Sequence, residues 1–452
     1  MKEKLKSTLS ETGAKPFLII ILLLLFLIPL GFISSLIRDR ERYQNEAVDS
    51  ILEPLGGNPE IQGLVMALPY IDYVEEQVQG SSATTSEPKT IVRQIKRYII
   101  TTPEEYRIEG EIFPYYLNRG IFKIPVFTGN LNLNATFKPV DYKSLDISPD
   151  NILWDQGLLL LGVSRRKILT ELPVFNIGNT SLETSPVIQE NSSPFDDFTE
   201  RTGERTLFFE LPGGVVKSEF EVSGTLKIQG GEVLRLQPLG ADNKFNISSE
   251  WQTPSFSGGW LPNERIINEE GFSAKWNIPG LSTVFPQSWI CNGGKQGENI
   301  SIELFTPVNT YQKTYRSIKY AFLFLLVPFL SIFICELFTR IKIHPVQYCL
   351  MGIADVLFYL LLLSISEHLA FGTSYLISAL CVVGATLFYG TAIFKNIKWG
   401  GMLAVVQVIS YVFLFGTLQA EDFALLIGSI GLFAVVVILM VITKKVDWYL
   451  KE

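Results

Sequence analysis

The chain has 452 residues, of which 47% are apolar or aromatic and 18% charged, and its formal net charge is −7. A charged fraction so far below the ~25% of soluble domains, with a mean hydropathy of +0.26, excludes an intrinsically disordered chain and a basic nucleic-acid binder. The charge also divides by region: residues 1–37 carry +2, residues 38–317 carry −10 and residues 318–452 carry +1, so an acidic, water-facing middle lies between two membrane-embedded ends.

The first element is an apolar run, Pro16–Ile37, preceded by Lys2, Lys4, Lys6 and Lys15. A secretory signal has an apolar core of about 7–15 residues and a small-residue cleavage site. This run is long enough to span a bilayer, and its exit, Gly31-Phe32-Ile33-Ser34-Ser35, offers no such site. It reads as an uncleaved anchor after a short cytoplasmic segment, residues 1–15. A helix is expected to follow at about 39–53, and no other helix is expected in the middle region.

Residues 38–317 carry a period of two. Leu131-Asn132-Leu133-Asn134-Ala135-Thr136-Phe137 alternates without a break, as does the run from Phe220 to Ile228, and Phe245, Ile247 and Trp251 share one parity. Such runs read as half-buried antiparallel strands. Pro212-Gly213-Gly214, Gly230-Gly231 and Asn292-Gly293-Gly294 punctuate them. The expectation is an all-β, sandwich-like domain, with polar loops at 76–90 and 178–204. Sequons begin at Asn134, Asn179, Asn246 and Asn299; chance occurrence in an Asn-rich β domain accounts for them.

Five further apolar segments follow, at about 318–338, 346–366, 371–394, 399–417 and 423–443. Arg340 and Lys342, then Lys395 and Lys398, then Lys444, Lys445 and Lys451 mark alternate ends. The other two loops carry Glu367-His368 and Glu421-Asp422 and no base. By the positive-inside rule, both termini, including the tail 444–452, are expected in the cytoplasm and residues 38–317 outside it. The fold class is therefore a membrane α-helical protein of six spans, one N-terminal anchor and a five-helix bundle over 318–443, with a large extracytoplasmic all-β domain. Small residues at Ser374, Ser378, Cys381 and Ala385, and at Ala424, Gly428 and Gly431, are expected to let those helices pack closely.

Chemistry is sparse. The only histidines, His344 and His368, lie in the C-terminal part, and the middle region holds one cysteine, Cys291. That excludes a histidine-dependent hydrolase triad or a histidine zinc site in the middle region, and a disulfide within it. No catalytic, cofactor-binding or metal-binding residues are assigned. Glu264, Glu269 and Glu270 beside Arg265 admit a carboxylate pair of the glycosidase type; solvated side chains on an acidic loop account for them more simply. Trp251, Phe256, Gly258, Gly259 and Trp260 admit sugar or peptide binding, against edge-strand packing and tight turns. Asp355 is the sharpest signal, because an ionisable residue in mid-span costs about 2.5–3.5 kcal/mol on insertion scales. Tyr348, Gly352, Asp355, Tyr359 and Ser366 share one helical face, so the stripe must point into the bundle or a wet cavity. It reads either as a proton or ion relay or, the preferred reading, as an interhelical hydrogen-bond staple; Glu336 and Gln407 are the other buried polar candidates, with Glu336 close to a membrane boundary. Glu367 and His368 end this helix, where His368 admits pH sensing or interfacial anchoring, and His344-Pro345 opens it.

The string His344-Pro345-Val346-Gln347-Tyr348, continued by Phe358-Tyr359 through Ser366-Glu367-His368, closely resembles the core motif of the CreD family of bacterial inner-membrane proteins. Arg119 through Pro125 to Gly129 resembles its early β segment. Ser255-Phe256, Gly258, Leu261-Pro262, Arg265, Glu269, Gly271-Phe272 and Trp276 match its central motif. Thr306-Pro307, Tyr311-Gln312, Arg316 and Lys319-Tyr320 match its entry to the second span, and Asp447-Trp448-Tyr449 its close. Asp355 lies outside that pattern, which weakens a relay role shared by the family. The resemblance implies an inner membrane, a periplasmic β domain, a role in envelope integrity, and expression linked to a two-component system and to responses to β-lactams and colicins. It carries no defined catalytic activity and no site to transfer. The expected function is thus a non-enzymatic envelope protein whose partners are the lipid bilayer and an envelope or membrane protein in the periplasm, with no cofactor and no nucleic acid; the oligomeric state stays open. The alternatives are a transport or flippase-like bundle using the Asp355 face and a periplasmic carbohydrate-active enzyme.

Overall fold

The computed structural model describes residues 2–78, 89–182, 184, 206–283, 285–290, 297–304, 310–339, 341–420 and 423–444. Cys291, Arg340, Glu421, Asp422, Lys445, Lys451 and the motif at 447–449 lie outside them. The chain falls into two units. Met1–Asn45 with Pro307–Glu452 is helical, and Glu46–Thr306 is built on strands.

In the helical unit, α1 (Lys2–Leu55) is a single helix that absorbs both the anchor and the helix expected after it. Its buried residues Ile19, Leu22, Leu23, Phe26, Leu30, Ile33 and Ile37 recur every three to four positions, the spacing of one helix face. That face is used: a Cβ on Gly352 would lie 2.4 Å from the Phe26 ring and 2.6 Å from that of Phe329. The first span is therefore packed into the bundle. After the β unit come α2 (Thr310–Lys319), a second helix in a region expected to hold one, and α3 (Ala321–Thr339), α4 (Pro345–Ser366), α5 (Phe371–Phe394), α6 (Ile397–Gln419) and α7 (Ala424–Thr443). Among the described residues five helices are long and apolar enough to cross a membrane: α1 from Phe17, and α3 to α6; α7 adds an apolar stretch, Leu426–Ile438.

Close packing in the bundle follows the expected stripe in part. Ser374 and Ser378 of α5 are buried as expected, and Val382, Thr386 and Gly390 continue that four-residue ridge in place of Cys381 and Ala385. Cys381 and Ala385 are exposed. Gly390 meets Gly400 of α6, where an added Cβ would lie 3.4 Å from the facing Cα. On α7, Gly428 faces Tyr320 and Gly431 faces Phe413.

The β unit is a two-sheet sandwich. One sheet has the order β12-β16-β10-β1-β2-β15, with β5 against β1 and β8 against β5. Its strands are β1 (Glu60–Val78), β2 (Lys89–Thr101), β5 (Leu158–Val163), β8 (Thr206–Glu210), β10 (Val233–Gln237), β12 (Pro254–Gly258), β15 (Ser288–Ile290) and β16 (Ile300–Leu304). The second has the order β13-β14-β11-β3-β4-β9-β6-β7, from β3 (Glu105–Arg119), β4 (Phe122–Phe137), β6 (Val174–Ile177), β7 (Thr180–Leu182), β9 (Phe220–Gly230), β11 (Asp242–Ser249), β13 (Glu264–Asn268) and β14 (Gly271–Pro279). Leu64, Met66, Leu161 and Ile302 from the first sheet and Leu131, Leu133, Leu226, Ile247 and Trp276 from the second form one core. β1 is buried on both faces, because Val65, Ala67, Ile100 and Leu160 make a second cluster behind it.

Two sequence expectations are corrected. The pairing is not wholly antiparallel: β1 runs parallel to β10, and β3 to β11. A period of two fixes which face is buried but not strand direction. The expected loops are also shorter, since strand pairing continues to Val78 and Lys89 in one and β6 pairs β7 through Ile177 and Thr180 in the other. Polar residues dominate both stretches of sequence and hid the pairing.

Candidate functional site

The sequence singles out one face of α4, and the structure buries it: Tyr348, Gly352, Asp355, Tyr359 and Ser366 are all inside the helical unit. Asp355 is 6% exposed and Gln407 of α6 is 3% exposed. Gln407 Nε2–H donates to Asp355 Oδ1. Gln407 Oε1 accepts from Thr386 Oγ1–H of α5 at 2.8 Å, and its Nε2 lies 3.4 Å from the Tyr411 hydroxyl oxygen one turn along α6. Tyr375 of α5 donates to the Tyr411 carbonyl at 2.7 Å. Three helices are thus joined through one amide. The Tyr359 hydroxyl is buried with no hydrogen-bond partner, although it lies within electrostatic reach of Asp355 and Tyr375.

The ends of α4 are held differently. His344 and Gln347 form a reciprocal cap: Val346 N–H donates to His344 Nδ1 at 3.3 Å, and His344 N–H donates to Gln347 Oε1 at 3.0 Å. This satisfies free amide groups of the first turn, so both residues serve helix initiation. Nearby, the Tyr348 hydroxyl donates to Glu336 Oε2 at 2.9 Å, and the Ile343 N–H donates to Glu336 Oε1 at 3.1 Å. At the far end, Ser366 Oγ–H bonds back to the Leu363 carbonyl at 2.9 Å. Glu367 lies 3.4 Å from Arg40 Nε of α1 and accepts from the Tyr311 hydroxyl of α2 at 3.5 Å. Burial, reinforced by the Glu367 charge, pushes the Tyr311 hydroxyl up to about 12. His368 is exposed. Arg40, Thr386, Tyr375 and Tyr411 were not singled out from the sequence, and Tyr311 entered only through the motif at the entry to the second span.

The β-unit candidates separate. Arg265 and Glu269 are exposed; Arg265 lies on β13, the edge strand of its sheet, and Glu269 lies in the turn that follows. Glu264 pairs with Lys275 at 3.1 Å. Glu269 contributes its backbone carbonyl, which accepts from Gln252 Nε2–H at 2.7 Å. Phe256 packs edge-on against Phe272 and Trp276, and the Trp276 indole donates to the Trp260 carbonyl at 3.2 Å. Among the described residues no group of three His, Cys, Asp or Glu has metal-binding geometry.

A different surface of this unit stands out. Across the outward face of the second sheet, register aligns Asn246, Glu109, Asn132 and Thr225 in one row and Ser273, Ser248, Glu111, Asn130 and Lys227 in the next. They line an open polar trough of about 500 Å³. Thr225 donates to Asn132 at 2.8 Å and Lys227 pairs with Glu171 at 3.0 Å. Asn and Glu are depleted in strands, yet they take outward positions on β3 and β4, in the middle of the sheet.

The chain is similar along almost its whole length to known proteins. The model of the family described as "Inner membrane protein CreD" matches residues 11–449. The curated Inner membrane protein CreD of Escherichia coli (strain K12) is 27% identical over 433 residues, covering 94% of this chain and 91% of that protein. With its apolar helices and inserted β unit, this chain is a multi-pass inner-membrane protein and belongs to the CreD family.

Proposed function

We propose that this protein supports the integrity of the cell envelope without catalysis, by presenting its β unit outside the cytoplasm to an envelope partner. Both ends of that unit continue into helices of the membrane unit, α1 before it and α2 and α3 after it. Alternating basic and non-basic loops support cytoplasmic termini. The observation that carries the reading is the polar trough. Its Asn and Glu side chains add nothing to the core behind them and contradict strand propensity, and local rules of this kind are broken at functional sites. The partner is expected to be polar and hydrogen-bonding, which suits the headgroup and glycan side of an envelope or a hydrophilic protein loop.

Complementation tests this. A strain lacking the gene, under envelope stress, is supplied with the full chain or with a chain carrying Asn130→Ala, Asn132→Ala and Glu111→Ala together. The three positions are exposed, so the variant is expected to accumulate and melt like the parent and to fail to rescue. Full rescue by the variant would remove the trough from the function.

A further inference from the structure

A carboxylate in the hydrocarbon layer must be neutralised, by a basic side chain, a proton or a bound cation. Asp355 makes no ion pair among the described residues. The groups placed beside it are uncharged: Tyr359 on its own helix and Gln407 and Tyr411 on α6, with Thr386 of α5 behind Gln407. Phe26 of α1 and Phe329 of α3 pack at Gly352, one turn below. The other buried acid of the helical unit among the described residues, Glu336 of α3, accepts from the Tyr348 hydroxyl and the Ile343 N–H. The Tyr359 residue is 2% exposed, and its hydroxyl has no hydrogen-bond partner among the described residues; it adds an oxygen with free lone pairs to the Asp355 carboxylate and the Tyr411 hydroxyl, while Gln407 presents its N–H to the carboxylate. Such a set suits a small hard cation or a shared proton.

From Asp355 toward the Ser366 end run Tyr359, Tyr411, Tyr375, Ser378 and Ser374, all buried. A cleft of about 370 Å³ between α5 and α6, lined otherwise by apolar side chains, reaches Tyr375 and Tyr411 from outside the bundle. Toward the Pro345 end Met351, Gly352, Leu403 and Ala404 intervene before the buried Tyr348 hydroxyl, which is already bound to Glu336.

We propose that Asp355, with Tyr359, Gln407 and Tyr411, is an exchangeable site for one monovalent cation, H⁺ or Na⁺, reached from the Ser366 end of α4. This goes beyond the envelope role of the β unit and stands or falls independently of it. If a proton is the ligand, it adds to a carboxylate oxygen and comes from solution; no redox step is involved.

Infrared difference spectroscopy of the full chain in lipid, acid minus alkaline, tests the proposal in sodium chloride and in choline chloride. A carboxylic-acid C=O band that appears on acidification in both salts, and is lost in Asp355→Asn, identifies a proton site. The same band, weakened at a given pH by sodium but not by choline, identifies a Na⁺ site. Tyr359→Phe is expected to move the midpoint of the band without removing it, and this arm holds even if Asp355→Asn folds poorly. Spectra of parent and Asp355→Asn that superimpose in both salts, with no shift in Tyr359→Phe, overturn the proposal.

Discussion

Asn243 shows what a single residue can carry and sequence alone does not disclose. It is fully buried. Its Oδ1 accepts from Gly240 N–H at 2.7 Å, and its Nδ2 donates to the carbonyls of Gly240 at 2.8 Å and Ile278 at 3.0 Å. Asn243→Ala strands these groups, so a loss of about 3 kcal/mol is expected in denaturant unfolding of the β unit within the full chain. An unchanged midpoint would contradict this role. Glu232 gives a pH signature. Burial, and then repulsion from Glu303, raises its carboxyl above the usual range. The folded state therefore holds the proton more tightly than the unfolded state, and stability falls as pH rises through that window. Glu232→Gln is expected to melt higher than the parent at neutral pH, with the gap closing below the ordinary glutamate value of about 4.3. A gap that widens in acid would reverse the assignment. Asp355 and Gln407 were legible because a polar residue inside an apolar run is conspicuous. Thr386, Tyr375 and Tyr411 were not, because their part depends on how α4, α5 and α6 are rotated about their axes, and periodicity does not give that.

At the scale of elements, faces were easier to read than neighbours. The β4 pattern gave its buried side correctly, with Leu131, Leu133, Ala135 and Phe137 all at 0% exposure. Nothing in it disclosed that β3 pairs in parallel with β11, since that depends on distant chain segments. The start of α4 was legible as Pro345 at the first helical position, and the structure adds the cap. Replacing His344 and Gln347 by Ala is expected to cost about 1 kcal/mol, measured as a lower melting temperature of the detergent-solubilised chain. Gly352 is where α1 joins α3 and α4. Gly352→Leu drives carbon into the Phe26 and Phe329 rings, so the variant is expected to melt well below the parent and Gly352→Ala to lie between them. Equal melting of all three would show that α1 does not pack at this point.

For the whole molecule, the integration of α1 has a consequence for how the protein can be divided. A fragment of residues 1–317 retains the β unit but leaves Phe26 and its neighbours on α1 without the helices they pack against. It is expected to accumulate less than the full chain in membranes, as an immunoblot of membrane fractions would show; equal accumulation would mean that α1 alone is a sufficient anchor. The broad architecture was legible from hydropathy because spanning helices need long apolar runs. Which surface works was not, since outward residues of a sheet carry no periodic signature of their own. In the proposed topology the β unit faces outside the cytoplasm with its polar trough accessible. Asn132→Cys, in a chain whose four cysteines are replaced by serine, places one thiol in that trough. A membrane-impermeant maleimide is expected to modify it in cells with a permeabilised outer membrane and an intact inner one. Modification only after the inner membrane is broken would contradict it.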